Sequence, residues 1–226
     1  MKSATRSATS PYFTASALSA DPPVGGGVKR LFDIVLVLLA LVVFCPIFLL
    51  LMALVKFSDG GQIFYGHKRI GHNGRTFHCL KFRTMVENGD QVLAQHLRAS
   101  PEALEEWQAA RKLSNDPRVT VVGSVMRKLS LDELPQLFNI LRGDMSIVGP
   151  RPVVEEELEL YGTAAALYLR SRPGLTGLWQ ISGRNDVSYA TRVAFDTQYV
   201  MRWSFIQDIV IIARTVPAVC LSRGSY

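Results

Sequence analysis

Two adjacent acids, Asp132 and Glu133, are the residues best suited to chemistry in this 226-residue chain. They follow Ser130, and apolar residues then recur at helical spacing until Gly143. Ser130 with Glu133 three residues later matches a capping box, so the sequence predicts a helix beginning at about Leu131. Both carboxylates would then lie in the first turn, beside unpaired N–H groups, and we expect both to stay ionised there.

Two arginines lie close enough in sequence to this doublet to bind phosphate beside it. Arg127 precedes the doublet, and Arg151 is flanked by prolines, the second being Pro152, which restrict the backbone around its guanidinium group. Magnesium binds carboxylate and phosphate oxygens, and arginines bind the phosphate oxygens that remain. The residues therefore predict a nucleotide-diphosphate site in which Asp132 and Glu133 hold Mg²⁺.

Five other polar residues extend the set of candidates. Lys81 and Arg83 either enlarge the phosphate site or lie on a solvated edge, and Arg184 lies in a basic loop with glycine that matches no phosphate-binding motif. Asp196 and Asp208 are isolated acids among aromatic and apolar residues, where a buried acid needs a partner. The four histidines have no spacing typical of metal ligands.

A long apolar segment precedes all of these candidates in the chain. Residues 34–55 carry no charge, and as a helix they are long enough to cross roughly 30 Å of hydrocarbon. Pro46, which follows Cys45, lies near the middle and removes a helix hydrogen bond. Because basic residues flank both ends, the sequence predicts a re-entrant helix that is broken at Cys45 and Pro46. A kinked helix that crosses the membrane once is the alternative.

The chain divides into three predicted parts. Residues 1–28 are rich in small and polar residues and predict a flexible arm. Residues 29–57 form the proline-broken membrane helix, and residues 58–226 form a cytoplasmic catalytic domain. The expected fold class is mixed α/β, mainly helical with small β-hairpin elements. Amphipathic helices are expected on the surface of a compact domain, next to the re-entrant helix.

Local patterns within the domain predict several elements that position the candidate residues. The Asn73-Gly74 pair between alternating segments predicts a tight hairpin. Residues 88–113 predict a charged helix or helix pair that breaks near Ser100-Pro101. A short buried strand is expected at 145–148, and a helix with overlapping apolar faces at 203–220.

The composition describes a folded, basic protein. Apolar residues make up 48% of the chain and charged residues 19%, which excludes a disordered protein. The three cysteines are far apart, which argues against a zinc module or a disulfide-stabilised secreted domain. The net charge of +6 favours anionic partners such as nucleotides and lipids, but no nucleic-acid-binding motif accompanies it.

Several longer motifs resemble those of the bacterial sugar transferases, the monotopic phosphoglycosyl transferases that begin surface-polysaccharide assembly. The apolar segment with its central proline carries part of this resemblance. The other matching segments, in chain order, are residues 81–85, 127–136, 139–145, 148–152 and 172–180. The resemblance extends from about residue 28 to the end of the chain.

The resemblance implies transfer of a sugar 1-phosphate from a UDP-sugar to undecaprenyl phosphate, with release of UMP. It implies that Asp132 is the nucleophile of a covalent phosphosugar intermediate and that Glu133 is its partner, with Mg²⁺ at both carboxylates. The two arginines become diphosphate ligands. The acid that prepares the acceptor phosphate corresponds to Asp208, and a second acid corresponds to Asp196.

The expected enzyme is a phosphotransferase of the substituted-phosphate class, in exopolysaccharide biosynthesis. Galactose is the expected sugar and glucose is the alternative. A membrane glycosyltransferase that releases UDP and a non-enzymatic, membrane-anchored scaffold are the other functions left open. We expect the bacterial inner membrane as the location, with the catalytic domain on the cytoplasmic side. The expected partners are the two substrates and inner-membrane lipid, without nucleic acid, and a homodimer is left open.

Overall fold

The computed structural model describes residues 21–182 and 187–220. The helices in this part of the chain are α1 (Gly26–Asp59), α2 (Gly89–Ala99), α3 (Pro101–Ala110), α4 (Val121–Lys128), α5 (Gln136–Arg142), α6 (Glu155–Glu159), α7 (Ala165–Leu169), α8 (Leu178–Ile181), α9 (Tyr189–Met201) and α10 (Phe205–Cys220). The strands are β1 (Phe64–Ile70), β2 (Thr76–Phe82), β3 (Ser146–Val148) and β4 (Gly174–Thr176). The predicted mixed α/β, mainly helical class is confirmed. Residues 1–20 of the predicted arm, and Arg184, lie outside the described residues.

Helix α1 contains the predicted apolar segment. It is 34 residues long, which corresponds to about 51 Å. The predicted break of the helix at Cys45 and Pro46 is wrong, because α1 continues through both residues as one helix; a re-entrant course in the membrane stays a prediction. Its length and composition are sufficient to cross a membrane, and only 17% of its most apolar window is buried in the protein. Most of its apolar surface therefore has no protein partner among the described residues.

Both halves of α1 nevertheless pack against the same domain. Before Pro46, Val37 is buried in a cluster with Ile140 of α5. After Pro46, Phe48 is buried in a second cluster with Phe82 of β2, and its ring is also 5.6 Å from that of Phe138 in α5. Because α5 contacts both halves, the two ends of α1 are held on one side of the domain.

Strands β1 and β2 form the predicted antiparallel hairpin. Asn73 and Gly74 in the connection have φ angles of 54° and 73°, the left-handed conformation that an Asn-Gly turn provides. Phe82 near the end of β2 lies 5.0 Å from Phe48 in ring-centroid distance, which fixes the hairpin to α1. Lys81 precedes Phe82 and is directed toward the acidic doublet.

A second, parallel pair of strands, β3 and β4, supports the segment that carries Arg151. The backbones approach so closely after β3 that a Cβ atom on Gly149 would lie 2.4 Å from the Arg172 carbonyl oxygen. Only glycine fits there.

Three elements predicted from local sequence patterns are confirmed. They are the short strand at 145–148, the helix pair that breaks at Ser100 and the C-terminal helix α10.

Candidate active site

The acidic doublet lies in a short 3₁₀ turn, Leu131–Glu133, between α4 and α5. The predicted capping box is wrong, because Ser130 has a φ of 55° and its side chain makes no capping hydrogen bond. Pro135 explains the difference: it has no N–H to bond four residues back, so α5 begins only at Gln136. The predicted end of the helix at Gly143 is confirmed, with a φ of 92°.

Lys81 of β2 joins the two carboxylates of the doublet. Its Nζ lies 2.6 Å from Glu133 Oε1 and 3.5 Å from Asp132 Oδ2. Burial alone would lower the pKa of Lys81, but the Glu133 and Asp132 carboxylates outweigh it and hold that pKa above its ordinary value. The sequence left Lys81 either in the phosphate site or on a solvated edge. The structure places Lys81 beside the two carboxylates rather than on a solvated edge.

Asp132 is buried rather than exposed on the first turn of a helix. Only 8% of its surface is accessible. Burial raises the pKa of Asp132, the Lys81 ammonium partly offsets this, and the Glu133 charge raises that pKa further. The expectation that a helix N-terminus would dominate its ionisation is therefore wrong. A carboxylate of raised pKa is more basic, which favours a role as nucleophile once it is deprotonated.

Arg127 and Arg83, which were also expected near the doublet, bind different partners. Arg127 donates from Nε to Thr84 Oγ1 at 2.9 Å. Burial has the largest effect on the pKa of Asp132 and raises it, whereas the Arg127 charge lowers that pKa slightly. Arg83 instead pairs with Asp59 at the end of α1. The structure therefore brings Arg127 to the site, whereas Arg83 connects β2 to α1.

Arg151 itself is exposed beside the site, although Pro150 and Pro152 on either side of it are buried. The Arg151 guanidinium carbon is 5.8 Å from the centre of the Trp179 ring. The Arg151 charge also lowers the pKa of Lys81, although burial and the Glu133 carboxylate have larger effects on that pKa. Arg151 is thus an exposed cation next to the Lys81 end of the doublet.

Asp208 of α10 belongs to a separate, buried network. It is 0% exposed, and its Oδ2 accepts from Lys29 Nζ at 2.5 Å and from Trp203 Nε1 at 3.0 Å. Its Oδ1 accepts from Tyr199 OH at 2.7 Å. Both oxygens therefore have protein donors, and the network fastens the start of α1 to α9 and α10. A role for Asp208 toward the acceptor phosphate stays a prediction.

Asp196 of α9 is also buried, and it is only partly satisfied. Its Oδ2 accepts from Tyr161 OH at 2.8 Å, whereas Oδ1 has no hydrogen-bond partner among the described residues. Burial raises the pKa of Asp196 to about 7, and the Tyr161 hydrogen bond and the Arg151 charge only partly offset it. Asp196 is separate from the doublet, and its predicted functional role stays a prediction.

Replacing Asp196 with asparagine is expected to flatten the pH dependence of stability. The folded pKa is raised from 3.8 to about 7 by burial, so the folded chain retains a proton that the unfolded chain has lost in that window. The free energy of unfolding then falls as pH rises from 4 to 8, by roughly 4 kcal/mol for this group. Chemical denaturation across that range measures it, with exposed Asp90→Asn as the matched control. Parallel curves for wild type and Asp196→Asn would contradict the expectation.

Asn139 of α5 is a positioning residue that the candidate set did not include. It is 0% exposed, accepts from the Leu80 N–H at 2.9 Å and donates to the His78 carbonyl at 2.8 Å. These bonds hold β2, and therefore Lys81, against the helix that follows the doublet. The sequence offered one signal for Asn139, which is its position in the 139–145 motif. A single polar residue in a short helix does not show which backbone groups its side chain will bind.

The doublet also provides a suitable, though small, set of ligands for magnesium. No group of three or more His, Cys, Asp or Glu side chains that could hold a metal occurs in residues 21–182 and 187–220. Two carboxylates are nevertheless sufficient, because Mg²⁺ commonly takes one or two carboxylates and obtains its other ligands from substrate phosphates and water. Lys81 contacts one oxygen of each carboxylate, Asp132 Oδ2 and Glu133 Oε1. The residues present therefore fit a metal that arrives with a diphosphate.

Known proteins similar to this chain match nearly all of it. The model of the bacterial sugar transferase family matches residues 25–222. The chain is 71% identical over 226 residues to the exopolysaccharide production protein ExoY of Rhizobium meliloti (strain 1021), covering 100% of both proteins. It is 51% identical to the undecaprenyl-phosphate galactose phosphotransferase of Salmonella typhimurium, over 88% of this chain and 41% of that protein. It is 36% identical to the UDP-glucose:undecaprenyl-phosphate glucose-1-phosphate transferase of Caulobacter vibrioides, over 88% of this chain and 72% of that protein.

Proposed function

The chain belongs to the bacterial sugar transferase family, and we propose that it transfers a sugar 1-phosphate from a UDP-sugar to undecaprenyl phosphate and releases UMP. The family predicted from the motifs is thereby confirmed. The proposed sugar is galactose, because the relative named for galactose is 51% identical and the one named for glucose is 36% identical. The reaction would begin exopolysaccharide assembly on its lipid carrier.

The observation that carries the proposal is the position of the acidic doublet, whose flanking residues pack against the apolar helix. Leu131 and Leu134 flank the doublet on either side, and both pack against the cluster that contains Phe48 and Val55 of α1. The carboxylates are therefore fixed beside the segment that would enter the lipid. A nucleotide from water and a phosphate on a lipid can meet at such a boundary.

The geometry supports a two-step transfer through Asp132. In the first step, a carboxylate oxygen of Asp132 attacks the sugar-bearing phosphorus of the UDP-sugar. The bond from that phosphorus to the bridging oxygen breaks, and UMP leaves with the bridging oxygen. In the second step, an oxygen of undecaprenyl phosphate attacks the same phosphorus and releases the Asp132 carboxylate. One carboxylate can thus serve two substrates that arrive from different phases.

The cations around the doublet support this chemistry through electrostatic stabilisation. Lys81 is held 2.6 Å from Glu133, so Glu133 fixes its ammonium beside Asp132. Arg127 and Arg151 supply planar donors for the phosphate oxygens on which charge accumulates. Magnesium held by Asp132 and Glu133 would neutralise further charge on the diphosphate.

The packing of α1 supports a helix that enters and leaves on the same membrane face. Val37 and Phe48 are both buried against the domain, yet they are only about 16 Å apart along the helix. A crossing needs roughly 30 Å of lipid-exposed helix. On α10, Ile206 and Ile209 are exposed, in keeping with a domain that rests on the lipid surface. We place the domain on the cytoplasmic face of the inner membrane, where UDP-sugars are made.

Nucleotide release from membrane fractions tests the proposed function. Wild-type protein is incubated with UDP-galactose or UDP-glucose, with and without added undecaprenyl phosphate. We expect UMP in an amount that depends on the added lipid, with UDP-galactose the better donor and Asp132→Asn as the inactive control. Release of UDP would indicate the glycosyltransferase alternative. Absence of both nucleotides with either sugar would favour the scaffold and overturn the proposal.

A further inference from the structure

Trp179 of α8 lies against two guanidinium groups rather than one. The ring is 3% exposed, and the guanidinium carbons of Arg151 and Arg192 are 5.8 Å and 4.7 Å from its centre. Stacking on an indole orients a planar guanidinium and leaves its edge free for hydrogen bonds. Trp179 therefore has two positive charges within 5.8 Å of its ring centre. The repulsion between these two charges would be relieved by a bound anion.

Within residues 21–182 and 187–220, neither arginine forms an ion pair that would explain this arrangement. No ion pair of Arg151 or Arg192 with a carboxylate is present among the described residues, and Arg192 Nε is buried there without a hydrogen-bond acceptor. A buried N–H without an acceptor is destabilising, because it has lost its hydrogen bonds to water. An anion bound at this point would remove both penalties.

The nearest acid on the same helix does not neutralise Arg192. Asp196 is one turn further along α9, but its carboxyl accepts from the Tyr161 hydroxyl instead. Burial also raises the pKa of Asp196 to about 7, so much of this carboxyl is uncharged at neutral pH. The Arg151 charge acts on Asp196, but no carboxylate among the described residues forms an ion pair with Arg192, so the Arg192 charge is available to a ligand.

The arginine pair is continuous with the charged site already described. The Arg151 charge reaches Lys81, where burial and Glu133 have larger effects on the pKa, and Lys81 contacts both carboxylates of the doublet. Arg192 shares the Trp179 ring with Arg151 and thus adds a further cation beside the one that acts on Lys81.

We propose that Arg192, held by Trp179 beside Arg151, is a further substrate-binding residue that donates to a phosphate group. This inference rests on the proposed function, because the phosphate is that of a substrate. Two sources have the same chemistry: the diphosphate of the UDP-sugar and the phosphomonoester of undecaprenyl phosphate. Guanidinium groups bind both through paired N–H···O bonds.

Steady-state kinetics of Arg192→Gln and Arg192→Lys test the inference and distinguish the two sources. The KM for each substrate is measured while the other is saturating, and UDP binding is measured separately by calorimetry. We expect Arg192→Gln to raise one KM about tenfold or more with kcat changed much less, since the lost bond binds substrate in both ground and transition states. Arg192→Lys keeps the charge but not the planar fork, and it should recover part of the loss. Arg98→Gln, an exposed arginine on α2, is the matched control.

Each outcome has a defined meaning. A raised KM for UDP-sugar, with weaker UDP binding, assigns Arg192 to the donor diphosphate, and a raised KM for the lipid alone assigns it to the acceptor phosphate. Unchanged KM values and UDP binding, with thermal unfolding like that of wild type, would overturn the inference and leave the proposed function intact. If wild type released no UMP, the proposed function would fail. Weaker UDP binding by Arg192→Gln than by wild type would then still show that Arg192 binds a phosphate group, whereas equal UDP binding would overturn this inference as well.

Discussion

The Asp132→Asn variant is expected to lose turnover almost completely, with kcat/KM lower by on the order of 10⁴-fold or more. An amide is a poor nucleophile and cannot carry the negative charge that attacks phosphorus. Asp132 is also the buried member of the doublet and lies 3.5 Å from Lys81. Replacing it should therefore remove the covalent step while leaving the neighbouring cations in place.

Mass spectrometry of the intact protein checks the step directly. Wild type mixed with UDP-sugar in the absence of undecaprenyl phosphate should gain the mass of a sugar phosphate, located on the peptide that contains Asp132. Asp132→Asn should gain none, whereas Glu133→Gln should retain the adduct at a reduced rate, because Glu133 acts through Lys81. Asp132→Ala excludes deamidation of the asparagine as a source of activity. An adduct on a different residue, or turnover without any adduct, would refute the two-step scheme.

The Asp208→Asn variant is expected to lower the free energy of unfolding by about 3–5 kcal/mol. The Lys29 and Asp208 side chains are 7% and 1% exposed, so the substitution leaves a buried ammonium without its carboxylate. The one oxygen of the asparagine can still accept from Lys29 and Trp203, and its NH2 group can donate to the Tyr199 hydroxyl, which also lies within hydrogen-bond distance of the Val148 carbonyl. The lost charge therefore accounts for most of the change. Thermal or chemical unfolding of the detergent-solubilised protein measures the effect.

The double variant Lys29→Met/Asp208→Asn separates the ion pair from any other role of Asp208. Since it removes both charges, we expect it to recover most of the stability lost in the single variant. Adduct formation at Asp132 should persist in Asp208→Asn at temperatures where the variant is folded, because Asp208 does not contact the doublet. A double variant no more stable than Asp208→Asn would show that the ion pair is not the source of the loss.

The sequence predicted several of the local elements well. The hairpin followed from Asn73 and Gly74, and the apolar helix followed from an uncharged segment longer than any ordinary core helix requires. The acidic doublet and the flanking arginines were chosen by their types and spacing, and their functional roles stay predictions. These features depend on residues close together in the chain, where backbone geometry relates spacing directly to position.

The partners of the charged residues depended on tertiary structure instead. Lys81 reaches Glu133 across 52 positions, and Lys29 reaches Asp208 across 179 positions. A local capping rule assigned Ser130 to the wrong conformation, because the missing N–H of Pro135 outweighed it. No spacing rule predicts such contacts, since they form only when packing brings distant segments together. The types of residue set the chemistry available to this protein, and burial and long-range pairing decided that Asp132 and Glu133 share Lys81 whereas Asp208 is enclosed with Lys29.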